Sequence, residues 1–219
     1  MIRELRQNML RAARLLGGFA VFGAAVVAGT YGLTRGQIET NERAALVNRL
    51  NALVPPTQRD NDIDQDVITV TEPTWLGSRK PVRIYRARLR SQPIAAILEA
   101  VAPDGYSGPI RLLVAITYDG TIAGVRVLQH RETPGLGDYI EDSKSNWVFS
   151  FDSRSLTNPT QSGWKVVKDG GVFDSVTGAT ITPRAVVKAV HRALQYEAAH
   201  RSELYAAAPR PKITPGATP

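Results

Sequence analysis

The chain has 219 residues, 27 Lys and Arg against 20 Asp and Glu, a formal net charge of +7 and no cysteine. That length suits one anchored domain or at most two small ones. The missing thiol excludes a structural disulfide, an iron–sulfur cluster and a thiolate zinc site on this chain. The positive balance raises nucleic-acid binding, but the basic residues are scattered with no basic stripe interleaved with aromatics, so no nucleic-acid partner is expected.

The first predicted element is a membrane span at residues 15–33, LLGGFAVFGAAVVAGTYGL, which carries no charge. A helix needs roughly 20 apolar residues to cross about 30 Å of hydrocarbon, and this segment is just long enough. Arg3, Arg6, Arg11 and Arg14 precede it against Glu4 alone, whereas Arg35 and Arg43 follow it beside Glu39 and Glu42. The excess of arginine before the span predicts a cytoplasmic N-terminus, with everything after the span on the outer face of the membrane. A cleaved signal peptide is the competing reading. It has against it the length of the apolar run, the absence of a clear Ala-x-Ala, and a helical pattern continuing through Ile38, Ala45, Leu46, Val47, Leu50 and Leu53 to Pro55 and Pro56, which stop the helix. An uncleaved anchor is the reading adopted.

Residues 60–66, DNDIDQD, read as a solvated linker, because the glycine and distal glutamate of a calcium loop are missing. Residues 67–70 suit a short strand and residues 82–89 a longer one. Residues 94–101 are nearly all apolar and are read as a strand from their place ahead of a hairpin. In that hairpin Ile110, Leu112, Val114, Ile116 and Tyr118 alternate, Asp119 and Gly120 supply a two-residue turn, and the chain returns over residues 121–129 with Gly124 marking a bulge. Next comes His130-Arg131-Glu132-Thr133-Pro134-Gly135-Leu136-Gly137, whose Pro-Gly pair predicts a tight type II turn. A mixed region over residues 138–158 follows, then a candidate strand at 164–167 and a turn at Asp169-Gly170-Gly171.

The run Asp174-Ser175-Val176-Thr177-Gly178-Ala179-Thr180 leads into Ile181-Thr182-Pro183. From Pro183 to about residue 205 the pattern is helical, with Val186, Val190, Ala193 and Leu194 on one face, Thr182 suited to the N-cap and Pro183 to the first helical position. A helix N-terminus offers unpaired N–H groups and a positive dipole end to a phosphate, and Gly178 and Ala179 let the backbone approach a ligand closely. The triplet Gly216-Ala217-Thr218 recurs in the Pro-rich tail without a preceding Ser or Thr or a following helix, and no cofactor is expected there. His130, His191 and His200 lack metal-ligand spacing, and His191 and His200 are expected at the surface. Trp75, Trp147 and Trp164 are read as core residues, and Lys168 as a solvated lysine. Nothing resembles a nucleophile–His–acid set or a phosphate loop.

Residues 174–180 resemble the attachment motif Asp-x-x-(Ser/Thr)-Gly-Ala-Thr, whose last threonine carries FMN through a phosphoester. The string Glu-Thr-Pro-Gly-Leu-Gly at 132–137 resembles the flavin-domain signature of the G subunit of the Rnf electron-transport complex and of the C subunit of the sodium-pumping NADH:quinone reductase. Further similarity runs through residues 144–147, 167–174 and 180–187, and is closer to the Rnf G subunit. The resemblance implies an α+β fold: a single N-terminal transmembrane helix, then an extracytoplasmic FMN-binding domain with an antiparallel sheet and a C-terminal helix. The expected divisions are a cytoplasmic N-terminus at 1–14, the span at 15–33, a helical stalk and linker at 34–66, the FMN-binding domain at 67–206 and a disordered tail at 207–219. It further implies covalent FMN on Thr180, with Thr177, Gly178 and Ala179 completing the attachment motif. Asp174 and Thr177 match the pattern read by a separate flavin transferase that moves FMN from FAD. Glu132 and Thr133, or the backbone of Gly135 and Leu136, are the candidates to meet the flavin ring, with Leu136 on its face. The implied role is an electron relay in the bacterial inner membrane, in a multi-subunit complex that couples ferredoxin:NAD electron flow to ion movement, with the main domain periplasmic. A C-type subunit of the quinone reductase, a freestanding flavin reductase and a non-redox accessory module stand as the alternatives.

Overall fold

The computed structural model describes residues 2–176 and 178–206. Thr177, the tail from residue 207 and the second Gly-Ala-Thr triplet lie outside the described residues. The chain divides into two compact units, Met1–Asn48 and Arg49–Pro219.

The first unit is helical throughout its described length. It belongs to helix α1 (Ile2–Leu53), which is long and apolar enough to cross a membrane, with a mean hydropathy of 1.7 over its most apolar window and none of that window buried. Phe19 and Leu33 are 75% and 88% exposed, an arrangement that water does not favour and hydrocarbon does. The helix continues well past the apolar run, as its periodicity predicts. It ends ahead of Pro55 and Pro56, where a 3-10 turn (Pro56–Gln58) replaces it.

The second unit is a five-stranded antiparallel meander, β1 (Val67–Val70), β2 (Val82–Leu89), β3 (Gln92–Ala102), β4 (Ile110–Thr117) and β5 (Ile122–Gln129), with each strand beside its sequence neighbours. Period-two alternation sends Ile84, Leu98, Val114 and Val125 to one face, where the register aligns Ile84 with Leu98, Leu98 with Val114 and Val114 with Val125. Helix α2 (Ile181–Leu204) contributes Val186, Val190, Ala193 and Leu194 to the core on this face, the stripe predicted from its spacing. The opposite face carries Tyr85, Ile97, Leu113 and Ala115, also buried, and Leu53 lies so close to Gly124 that a Cβ there meets Leu53 Cδ2 at 2.9 Å.

The β4–β5 connection differs from the expected two-residue turn. Gly120 N–H bonds the Thr117 carbonyl and Thr117 N–H the Thr121 carbonyl, with positive φ at Gly120 but not at Asp119. That is a type I turn closed by a glycine bulge. Pairing then shifts between Ala115–Gly124 and Ile116–Ile122, so Ala123 is the extra residue beside the predicted Gly124. The bulge restores Ile122 and Val125 to the same core face, which simple alternation forbids for residues three apart.

Residues 60–66 correct the expectation of a solvated linker. Ile63 is fully buried, and Asp66 accepts from Arg86 Nε and Arg88 Nε at 2.7 Å each. Both arginines are buried, and both also donate to the carbonyl of Ala206 beyond the end of α2. A carboxylate between two guanidiniums makes such burial tolerable. Residues 164–167 form no strand, only an isolated bridge between Val166 and Phe173. Between β5 and α2 the chain is built instead from 3-10 turns around an aromatic cluster. Phe151 stacks on Phe173 at 4.7 Å, and Trp164 stacks on the ring of His191 at 5.0 Å. His191 is therefore half-buried rather than a surface residue, and burial lowers its pKa.

Candidate functional site

Two loops meet at the end of the sheet where β3 and β5 leave and β4 begins. The first follows β5. Leu136 N–H bonds the Thr133 carbonyl at 3.1 Å with Gly135 at φ +77°, the type II pattern predicted from Pro134-Gly135, and Asp138 Oδ1 accepts from Gly135 N–H at 2.7 Å. His130 precedes the turn. Its Nδ1 accepts the Glu132 N–H at 3.0 Å, so the ring proton sits on Nε2, which donates to Glu141 Oε1 at 2.6 Å. That hydrogen bond holds the Glu141 carboxyl below the usual carboxylate range.

Glu132 itself is only 5% exposed. Oε1 accepts from Ser107 N–H at 3.0 Å in the β3–β4 loop, and Oε2 accepts from Thr182 Oγ1 at 2.5 Å in the first turn of α2. Gly137 packs directly on it, since a Cβ at 137 meets Glu132 Cβ at 2.8 Å and Thr182 Oγ1 at 3.2 Å. One buried carboxylate thus joins three segments far apart in sequence.

The second loop is residues 174–180. Trp147 Nε1 donates to the Asp174 carbonyl at 2.7 Å, and Ala179 N–H bonds the Val176 carbonyl at 3.0 Å. The Tyr139 hydroxyl faces Val176 N–H at 3.5 Å, and burial pushes that phenol up to about 12, so it stays neutral. Gly178 has φ +87°, and nothing lies within 4 Å of where its Cβ falls, so the loop makes its bend beside open space.

Helix α2 starts earlier than expected. Thr180 is the N-cap, and the first ladder bond runs from Arg184 N–H to the Thr180 carbonyl at 3.3 Å. Thr182, expected as the cap, is instead inside the first turn, held there by Glu132. Pro183 is tolerated two positions further in than expected because the first helical turn has no ladder bond for its missing N–H to break. The Thr180 side chain makes no capping bond, and its hydroxyl has no hydrogen-bond partner among the described residues.

Between the loops is a pocket of about 190 Å³ lined by Tyr106, Glu132, Thr133, Leu136, Gly137, Gly178, Ala179, Ile181 and Thr182. Of the residues singled out in the sequence, Glu132, Thr133, Leu136, Gly178 and Ala179 come together here. Thr180 is half-buried between two lining residues and does not itself line the pocket. Gly135 faces a neighbouring hollow with Tyr139, Lys144 and Val176, and Leu136, 49% exposed, is the ridge between the two. Tyr106, Gly137, Ile181 and Thr182 are lining residues that the sequence does not mark as binding residues. Thr182 has the chemistry of a cap, and Tyr106 sits in a Gly-Tyr-Ser-Gly loop with no chemical signal of its own. Trp147 and Trp164 belong to the aromatic cluster rather than the pocket, and Lys168 is exposed.

An apolar-rimmed pocket at a helix N-terminus, on an α+β domain preceded by a membrane-length helix, has the architecture of a membrane-anchored ligand-binding protein. Residues 105–195 match the FMN-binding domain, a range that contains every residue lining the pocket, and residues 1–53 match the RnfG N-terminal region. The chain belongs to the family of G subunits of ion-translocating oxidoreductase complexes. It is 50% identical over 201 residues to the G subunit of the Pseudomonas aeruginosa complex, covering 92% of this chain and 94% of that one. It is 45% identical to the G subunit of the Vibrio cholerae complex, covering 94% and 96%. Among solved structures it is similar to Shewanella oneidensis NqrC, with 24% identity, 66% and 74% coverage and a TM-score of 0.45.

The residues present fit FMN. Leu136, Ile181 and Tyr106, 49%, 45% and 69% exposed, offer apolar surface to a planar ring. The first turn of α2 offers N–H groups and a positive dipole end to a phosphate. Thr180 offers a hydroxyl that makes no capping bond at that same helix end.

Proposed function

We propose that this chain is an electron relay in an ion-translocating oxidoreductase complex, of the kind that couples ferredoxin:NAD electron flow to ion movement, and that it carries FMN as a phosphoester on Thr180. The observation that supports this most directly is the Thr180 hydroxyl, without a capping bond at the start of α2 and next to Ala179 and Ile181 in the pocket wall. A threonine hydroxyl is a poor nucleophile unaided. A flavin transferase is the partner that makes the bond: Thr180 Oγ attacks the riboflavin-side phosphorus of FAD, an O–P bond forms, and the bond to AMP breaks. AMP leaves with the electron pair, and the hydroxyl proton balances the charge. Gly178 and Ala179 admit the phosphate, Leu136 faces the ring, and Thr133, Gly135 and Thr177 complete the binding segment. Attachment through phosphate leaves the ring free, so its redox behaviour is set by what packs on it.

The arginines ahead of the apolar run support a cytoplasmic N-terminus and a periplasmic location for residues 67–206, with the helix in the bacterial inner membrane. Ala20, Ala24, Ala28, Gly32 and Gly36 recur every fourth residue on α1, a small-residue stripe that suits close packing against membrane helices of neighbouring subunits.

The test is the denatured intact mass of the full chain, exported and produced with a flavin transferase, beside Thr180→Val. A gain of FMN minus water in the parent and none in the variant is expected. An unmodified parent, with the transferase active on a control substrate, overturns the reading.

A further inference from the structure

We propose that Glu132 is the positioning residue of the flavin site, acting through Thr182 rather than on the ring. The inference rests on the reading that Thr180 carries FMN. Both carboxylate oxygens are occupied by donors of the protein, Ser107 N–H and Thr182 Oγ–H, and the residue, only 5% exposed, is covered by Gly137, Thr182 and the β3–β4 loop. A side chain so engaged is committed to its own neighbours. What it controls is the start of α2. Thr182 is the second residue of the helix and is 1% exposed, and its hydroxyl bond to Glu132 pins the first helical turn to the loop that follows β5. Thr180 lies two residues upstream, so the pin sets where its hydroxyl and the first-turn N–H groups point.

The pin is itself braced. Glu132 N–H is fixed by His130 Nδ1, and His130 is fixed by Glu141. A continuous chain therefore runs from Glu141 through His130 and Glu132 to Thr182. The same bond separates two similar hydroxyls. Thr182 is buried and engaged, Thr180 is half-buried and has no partner among the described residues, so only one threonine at the helix start is offered for modification.

The experiment uses the full chain, a flavin transferase and FAD, and reads the flavinylation rate per folded molecule, the visible circular dichroism of the bound flavin and its midpoint potential. Thr182→Val and Glu132→Gln are expected to lower kcat/KM for flavinylation roughly ten- to a hundredfold, the scale of a misplaced reacting group. Both are expected to alter the visible dichroism and potential of whatever flavin is attached. Thr182→Ser keeps the hydroxyl and is expected to restore all three. The double variant is expected to be no worse than either single one, because the two residues act as a unit. Should Thr182→Val fail to fold, Thr182→Ala against Thr182→Ser, measured well below the melting temperature of each, makes the same comparison. Parent-like rates, dichroism and potential in the Val and Gln variants, alongside a modified parent, overturn this inference alone. An unmodified parent overturns the covalent-flavin reading and this inference with it.

Discussion

The two loops that face each other across the pocket are held in opposite ways. The loop at 130–137 is braced from within by side chains: Glu132 reaches Ser107 and Thr182, His130 reaches Glu141, and Asp138 caps Gly135. The loop at 174–180 is held mainly at its backbone, by Trp147 on the Asp174 carbonyl and by Ala179 on Val176, while Asp174, Val176 and Gly178 are exposed. The difference matches the two jobs that the proposed flavin ester assigns to them. A surface that receives a flavin gains from being set in advance. A segment that a second enzyme must grip and modify has to present its side chains to solvent.

The sharpest contrast is between the acidic residues of the two loops. Glu132→Ala leaves the buried Thr182 hydroxyl without its acceptor, at about 1–3 kcal/mol, and also frees the N–H of the exposed Ser107. Denaturant unfolding is expected to show that loss. Asp174→Ala is expected to leave stability within about 0.5 kcal/mol of the parent, yet to slow flavinylation in the mass assay. Equal destabilisation by the two breaks the comparison.

The glycines sharpen it next. At Gly137 an added methyl meets Glu132 Cβ at 2.8 Å. Gly137→Ala is therefore expected to cost about 1–3 kcal/mol through overpacking. Gly178→Ala meets no atom within 4 Å, but it puts a side chain at φ +87°. That costs about 1–2 kcal/mol from backbone alone. Thermal melts of both variants, with Gly178→Asn included because asparagine tolerates that φ, distinguish steric from conformational cost. A partial recovery is expected at 178 and has no counterpart at 137. Trp147→Phe removes the indole N–H from the Asp174 carbonyl and is expected to cost about 1 kcal/mol, read as faster amide exchange in residues 174–179 with the first loop unchanged.

The smallest effect is in acid. Glu141 is held below its usual 4.5 by the His130 hydrogen bond, and Asp169 below its usual 3.8 by Arg184. Groups with depressed folded values contribute stability that is present above the unfolded value and is lost as pH falls through the folded one. Melting temperatures are thus expected to hold from pH 7 to about 5 and to fall below that. Asp152, raised by burial, opposes the trend. Glu141→Gln is expected to flatten the decline.

The sheet was legible because its signals are local. Alternation and the Asp-Gly turn placed β4 and β5, and residues 82–89 coincide with β2 to the residue. The stripe of α2 and the Pro-Gly turn were legible for the same reason. What escaped depends on distant partners. Asp66 looked like one more acid in a solvated run, because the arginines that bury it are 20 and 22 positions away. Thr182 before proline has the chemistry of a cap, and only Glu132, 50 positions upstream, draws it into the helix instead. The residue types of the site could be read in order along the chain, but the pairing of its two loops belongs to the fold.

The latch at the far end of α2 has a practical side. Arg86 and Arg88 both hold the Ala206 carbonyl, an attachment that spans 120 positions of sequence. A version of the protein cut after Leu204 keeps the whole helix yet strips two enclosed guanidiniums of a shared acceptor. One cut after Ala206 keeps it. For anyone trimming or tagging this chain, the safe boundary is set by strand β2 and not by where the helix stops.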